Sequence, residues 1–329
     1  MITIQKQGYG GIVLPAYGIG LDTDQAIVPH VFISHAHADH VPRNRHIPVY
    51  ATPATAALMK ARGFQGEVTE TPFYSPVSLP GDVTVTLYPA GHILGSAMNY
   101  IQTPEGSVLY TGDYRNPASP CTEGFDCPAQ VDYFITEATF SLPIYRWKSH
   151  EELFDRLRTT AIQARERGEV PVFLTYNLGK AQEVMMALAP TGIPVQIHGA
   201  GYPLCEIYTR FGMDLGAYTR YNRKSVTEGA LITPMSTLDT SMVTSIRKKY
   251  LTYCSGWAAL ESRRAQLNVD QLIPLSDHID FFELLALCRR LAPRKIYLTH
   301  TPNPDVLLHY LRNDGLDAES LDLQGNDDA

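Results

Sequence analysis

The stretch Val31-Phe-Ile-Ser-His35-Ala-His37-Ala-Asp39-His40 sets four ligand-type side chains directly behind a short apolar, β-prone run, and this constrains the fold more than any other feature of the chain. Val31, Phe32 and Ile33 read as a buried strand. Side chains placed just past a strand's end converge on one point while the sheet fixes their spacing. His35 and His37, two apart, point the same way, whereas Asp39 and His40 follow a turn and face a second centre. The pattern therefore predicts two bound metal ions. A loop of surface histidines is the alternative reading, and with only 11 His in 329 residues the clustering behind a strand argues against it.

Composition excludes several classes. No apolar run approaches the roughly 18 residues of a membrane-spanning helix. Met1 to Gln7 alternates polar and apolar residues and lacks the charged-then-apolar order of a secretory signal, so it reads as a first strand of a cytoplasmic protein. The cysteines at 121, 127, 205, 254 and 288 are scattered and never form a CxxC pair, which suits a reducing compartment and makes them poor ligands. A net charge of −7 argues against wholesale coating of nucleic acid, yet between Glu206 and Arg264 nine Lys/Arg face five Asp/Glu. There Arg210, Arg220, Arg223, Lys224, Arg247, Lys248, Lys249, Arg263 and Arg264 interleave with Tyr208, Phe211, Tyr218, Tyr221, Tyr250, Tyr253 and Trp257. This mixture grips phosphates and stacks bases. It equally suits solvated helix faces with aromatic core residues.

In chain order, Gly8, Gly10, Gly11, Gly18 and Gly20 punctuate short strands, and Leu21-Asp22-Thr23-Asp24 closes one. Pro48 to Ala51 is a strand, and Thr52-Pro53 caps a helix that Gly63 ends. Val83 to Tyr88 alternates as a strand and runs into Pro89-Ala-Gly-His92-Ile-Leu-Gly-Ser96, a glycine-bearing loop that delivers one imidazole. Ala97 to Thr103 and Ser107 to Thr111 form a hairpin, and Asp132 to Thr136 is a further strand. Successive strands thus finish on His92, Asp113 and Glu137. From about residue 143, strands alternate with helices, which implies a parallel sheet flanked by helices. Ser149-His-Glu-Glu152 is a capping box, and the helix begun at Asn177-Leu-Gly-Lys180 offers free N–H groups beside Lys180 for a phosphate or is a plain strand-to-helix turn. Further helices are expected over Leu204 to Phe211, Thr240 to Lys249 and Asp280 to Arg290. Strands are expected over Val170 to Tyr176, Val195 to His198, Ala230 to Thr233, Leu251 to Cys254, Gln271 to Leu275 and Lys295 to Thr299, the last ending on His300. The acidic tail Asn326-Asp-Asp328 reads as disordered. His30, His46, His150, His198 and His309 lack such placement and read as structural.

His35-Ala-His37-Ala-Asp39-His40, Gly91-His92 and Gly112-Asp113 resemble the metal motifs of the metallo-β-lactamase fold, with Asp22 at the position of its first aspartate. Glu137, Ser276-Asp-His278-Ile-Asp280 and His300 resemble motifs A, B and C of the β-CASP nuclease branch, and Leu178-Gly-Lys-Ala-Gln-Glu183 resembles a segment of its cap. Ser255-Gly-Trp257 followed by Pro274-Leu-Ser-Asp-His278 is similar to the bacterial ligase-associated DNA exonucleases, relatives of Artemis and of the polyadenylation cleavage subunit. The likeness covers nearly the whole chain.

The resemblance implies an α/β protein: a metallo-β-lactamase αββα sandwich at 1–142 and 272–329, with an inserted α/β β-CASP cap at 143–271 walling a substrate groove. It implies a metal-dependent nuclease. His35, His37 and His92 would hold one divalent ion, Asp39, His40 and His300 the other, and Asp113 would bridge them. Zn²⁺ fits this donor set, and Mn²⁺ is the alternative. Asp22 would orient ligands from behind, and His278, held cationic by Glu137, would protonate the leaving oxygen. Lys180, Asn177, Ser276 and Trp257 would contact substrate. The implied partners are DNA, or RNA as a ribonuclease would require, and a DNA ligase or helicase of the same repair pathway, with no membrane. A histidine at motif C pulls toward RNA-processing relatives, while Ser255-Gly-Trp257 pulls toward the DNA group. Outside the nucleases, a small-molecule thioesterase or lactonase and a non-catalytic scaffold are the other readings.

Overall fold

A computed structural model describes residues 2–7, 11–23 and 28–321; Gly8, Gly10, Asp24 and the acidic tail lie outside the described residues. The chain divides into two compact units: Met1–Ala118, Thr122–Arg146 and His278–Ala329 form the first, and Ser119–Cys121 with Trp147–Asp277 form the second.

The first sheet of unit 1 takes β1 (Gln5–Gln7), β2 (Gly11–Leu14), β3 (Ile19–Leu21), β4 (His30–Phe32), β5 (Val49–Ala51) and β6 (Val68–Glu70) in sequence order. Helix α1 (Pro53–Ala61) lies against β6, and its Thr52 cap accepts from Thr55 N–H at 3.2 Å. The second sheet contains β7 (Val77–Leu79), β8 (Val83–Pro89), β9 (Ala97–Thr103), β10 (Gly106–Tyr110) and β11 (Tyr133–Glu137).

Unit 2 carries α2 (His150–Glu166), β12 (Val170–Leu174), α3 (Lys180–Leu188), β13 (Val195–Ile197), α4 (Tyr202–Arg210), β14 (Tyr218–Arg220), β15 (Ala230–Thr233), α5 (Ser241–Thr244), β16 (Lys249–Cys254), α6 (Ser262–Leu267) and β17 (Gln271–Ile273). Its strands form one all-parallel sheet in the order β14-β13-β15-β12-β16-β17. The alternation read from about residue 143 is that sheet. The helix expected over Thr240 to Lys249 shrinks to α5, because serines and threonines compete for backbone hydrogen bonds and Lys249 to Tyr253 pair instead with β12.

The chain returns to unit 1 as α7 (Phe281–Leu291), β18 (Lys295–Thr299), α8 (Pro304–Asn313) and β19 (Ala318–Ser320), completing the second sheet in the order β19-β18-β11-β10-β9-β8-β7. Strand alternation sorts its side chains. Val83, Val85, Leu87, Ile101, Val108, Tyr110 and Ile135 meet Ile12, Leu14, Ile19 and Phe32 of the first sheet, whereas Met98, Leu109, Phe134, Ile296 and Leu298 meet Leu284, Leu307 and Leu311 on α7 and α8. Each such fully buried side chain contributes about 1.5–3 kcal/mol. The result is the helix–sheet–sheet–helix sandwich. Strands β10, β11 and β18 are parallel neighbours, and β8 runs with them because two antiparallel steps through β9 restore direction. Their C-terminal ends therefore share one edge, which carries His92, Asp113, Glu137 and His300.

Candidate metal centre

His35 Nε2 lies 3.1 Å from His37 Nδ1, and His92 Nε2 lies 3.1 Å from the same nitrogen. One oxygen of Asp113 sits 3.5 Å from His35 Nε2, 3.7 Å from His92 Nε2 and 3.4 Å from His40 Nε2. Nitrogens bound at 2.0–2.1 Å to one tetrahedral cation stand about 3.3 Å apart, so the spacing is that of a ligand set. The loops tolerate no slack. Gly112, at φ +54, would drive a Cβ to 2.4 Å from that of Ser34, and Gly95, at φ +78, to 2.5 Å from Thr55 N.

Hydrogen bonds behind the ligands fix which nitrogen faces the centre. Asp22 Oδ1 accepts from Ser34 N–H at 2.7 Å, and its Oδ2 accepts from Ser34 Oγ–H at 2.5 Å, His40 Nδ1–H at 2.8 Å and Tyr110 Oη–H at 2.9 Å. Ser34 Oγ, having given its proton to Asp22, accepts from His35 Nδ1–H at 2.9 Å. Both His35 and His40 therefore commit Nδ1 outward and turn Nε2 inward, as the nitrogen that would bind a metal ion. His40 Nε2 is buried and makes no hydrogen bond. A cation fits these converging lone pairs.

Burial, helped by His40, lowers the pKa of His35 well below the ordinary imidazole range, which keeps it a neutral ligand. At His40 burial pulls the same way, but Asp113 and Asp22 outweigh it and hold its pKa well above that range. Burial also disfavours the charge on Asp113, yet His40 and His278 outweigh it, so this carboxyl titrates well below the usual range. Tyr110 is pushed well up by burial and by Asp22, and it remains a donor.

Beside this set, His278 Nδ1 stands 2.9 Å from Glu137 Oε1 and 4.0 Å from Asp113. Glu137 also accepts from Tyr114 N–H at 3.2 Å and from Thr139 Oγ1 at 2.5 Å. The ring of His300, at φ +49, stacks on His40 with centroids 5.2 Å apart. The Asp39 side chain is 74% exposed, 3.9 Å from His40 Nε2. The tight four-residue group is thus His35, His37, His92 and Asp113, and neither Asp39 nor His300 belongs to it.

Lys180, Asn177, Ser276 and Trp257 all lie in unit 2. Lys180, expected beside a phosphate, is instead buried with its ammonium paired to Asp277. Asn177 and Trp257 are half-buried and Ser276 is buried. Part of the basic, aromatic segment pairs internally, Arg220 lying 5.0 Å from the Tyr202 ring centroid and Arg210 5.7 Å from that of Phe211. Sequence reasoning missed Ser34, Tyr110 and Thr139. Ser34 had a signal, its place immediately before His35; the other two had none.

This fold and this imidazole–carboxylate constellation define a protein of the metallo-β-lactamase class. No family model matches the chain. It is 31% identical over 298 residues to a protein of Opitutus terrae named "Probable DNA ligase", covering 88% of this chain and 28% of that protein. It is 26% identical over 218 residues to an "RNase J-like protein" of Methanocaldococcus jannaschii, covering 57% of this chain and 51% of that one. The chain thus spans between about a quarter and a half of these relatives' lengths. A solved structure of a protein of unknown function from Enterococcus faecalis V583 shares the fold with a TM-score of 0.65 at 15% identity, covering 88% of this chain and 78% of that one. The chain belongs to the β-CASP branch of the metallo-β-lactamase fold.

Proposed function

We propose that the protein is a metal-dependent nuclease that hydrolyses phosphodiester bonds of nucleic acid by a two-metal mechanism. The observation that carries the reading is the convergence of His35, His37 and His92 on Asp113 beside the Glu137–His278 pair. Two divalent ions, Zn²⁺ or Mn²⁺, held by His35, His37 and His92 and by Asp39, His40 and His300 with Asp113 common to both, would neutralise phosphate charge and acidify water. Asp22 holds His40 in the ligating tautomer, and Ser34 does the same for His35. Glu137 engages His278 at Nδ1, which leaves Nε2 to deliver a proton to the leaving oxygen.

We place the activity on DNA, as an exonuclease of repair working beside a ligase; the ligase name of the Opitutus terrae relative supports this. A ribonuclease is the second reading, supported by the RNase J-like relative. Reduced cysteines, all five free, support a cytoplasmic setting. Labelled single-stranded DNA and RNA of one sequence, incubated with Mn²⁺, Zn²⁺ or EDTA, test the reading. DNA shortened stepwise from an end with metal supports it, and cleavage of RNA alone favours the ribonuclease. His92→Ala and Asp113→Ala should each cost at least about 10³-fold with the circular dichroism spectrum unchanged. Full activity in either would refute the assignment.

A further inference from the structure

Lys180 and Asp277 form a buried ion pair, with side-chain exposures of 7% and 0%. The Lys180 ammonium also stands 5.3 Å from the Tyr176 ring centroid. Burying two charges is costly, and an apolar pair of the same volume is often no less stable, so fold stability alone does not account for it. Lys180 opens helix α3, whose hydrogen-bonded first turn fixes its backbone: Gly179 N–H donates to Gln182 Oε1 at 2.8 Å. Asp277 is the last residue of unit 2 and is bonded directly to His278, the first residue of the chain's return to unit 1. The side chain that holds a leaving-group proton in the proposed mechanism thus hangs on a backbone tied, one residue earlier, to a rigid helix start.

We propose that Lys180 and Asp277 are positioning residues for His278: their ion pair fixes the peptide from which the imidazole projects, while Glu137 fixes its ring. The inference rests on the nuclease reading and on His278 acting as the proton donor. It replaces the phosphate-contact role expected of Lys180 from sequence. A charge pair suits this task because guanidinium or ammonium against carboxylate holds its partner in one orientation, which apolar packing does not.

The test compares two leaving groups. Oligonucleotide cleavage expels a poorly leaving alkoxide that needs a proton, whereas bis(p-nitrophenyl) phosphate expels a phenolate that does not. Lys180→Met and the charge-neutral double variant Lys180→Met/Asp277→Asn, which avoids stranding a buried carboxylate, should lower kcat on oligonucleotide about 10–100-fold with KM unchanged. Their p-nitrophenyl activity and bound metal should stay within about threefold of wild type, and Lys180→Arg should restore most of the oligonucleotide rate. On a His278→Ala background the Lys180 change should add nothing. In metal-free protein labelled with ¹⁵N-histidine, the His278 Nδ1–H resonance, identified by its loss in His278→Ala, should be present in wild type and broadened or shifted in the double variant. Equal losses on both substrates, a loss confined to KM, or an unmoved resonance would overturn the proposal. A wild-type protein that hydrolyses neither substrate with any metal would instead overturn the nuclease reading, and the resonance would still report on the ion pair.

Discussion

Replacing Asp22 with Asn changes one atom's chemistry at the point where four donors meet. The backbone adopts φ +50 there, a conformation Asn tolerates, so the substitution isolates the carboxylate. Asn keeps an acceptor for Ser34 N–H, but its amide nitrogen then faces the hydroxyls of Ser34 and Tyr110 and His40 Nδ1–H. Three bonds to a charged acceptor, at about 1.5–3 kcal/mol each, bound the loss, and release from burying a charge offsets part of it. A net cost of about 3 kcal/mol follows, or roughly 6–12 °C in the melting temperature of the metal-free protein. The second consequence is specific. His40 escapes the new donor by taking the other tautomer, which puts the proton on Nε2, the nitrogen turned toward Asp113. Metal affinity should then fall about 10–100-fold by chelator competition. Asp22→Ala removes the new donor and should cost as much stability with a smaller loss of affinity. An Asp22→Asn protein that melts with wild type and binds metal within twofold of it would refute the reasoning.

Gly112→Ala should destabilise unit 1 by about 2–4 kcal/mol in urea melts, because strain at φ +54 adds to the 2.4 Å clash with Ser34, whereas Gly124→Ala, at φ +106 with open space, should cost only about 1 kcal/mol. Glu123 accepts from Gly95 N–H at 2.9 Å; burial raises its pKa, only partly countered by that bond. Its stability contribution is therefore full below the unfolded pKa of about 4.3 and is lost as pH rises through the folded value. Glu123→Gln, which keeps an acceptor for Gly95, should thus melt higher than wild type at pH 7 and show no such loss between pH 4 and 7; a lower melting temperature at pH 7 would contradict this.

The ligand loops were legible in the sequence because chemistry and period coincide there. His35, His92, Asp113, Glu137 and His300 each follow an apolar alternating run, and parallel strands bring such ends to one edge. The Thr52 and Ser149 caps were local and so readable, whereas Asp280, expected inside its helix, is the residue that caps it, accepting from Glu283 N–H at 2.8 Å. What escaped was decided at a distance. Tyr110 reaches Asp22 across 88 residues of chain, and nothing near Tyr110 marks it apart from any strand tyrosine. Lys180 looked like a phosphate ligand because its partner, Asp277, lies 97 residues away. Helix α8 did carry a signal, Pro304 at its start and Leu307, Leu308 and Leu311 at helical spacing.

Removing metal should move one unit and spare the other. In unit 1 the Nε2 nitrogens of His35 and His40 are turned to a common centre, and His40 Nε2 is buried without a hydrogen bond, so the folded chain bears desolvation that a bound metal ion relieves. A ligand that binds only the folded form stabilises it by RT ln(1 + [L]/Kd), about 4 kcal/mol at a thousandfold excess over Kd, which is on the order of 10 °C here. All the expected ligands lie in unit 1, and the two units need not melt together. Calorimetry with and without EDTA should then lower the transition of unit 1 by that amount and leave that of unit 2 in place. Asp113→Ala should abolish the difference. Equal shifts in both transitions would mean the stabilisation is not local, and no shift in either would mean that the lone pairs gathered at Asp113 hold no ion.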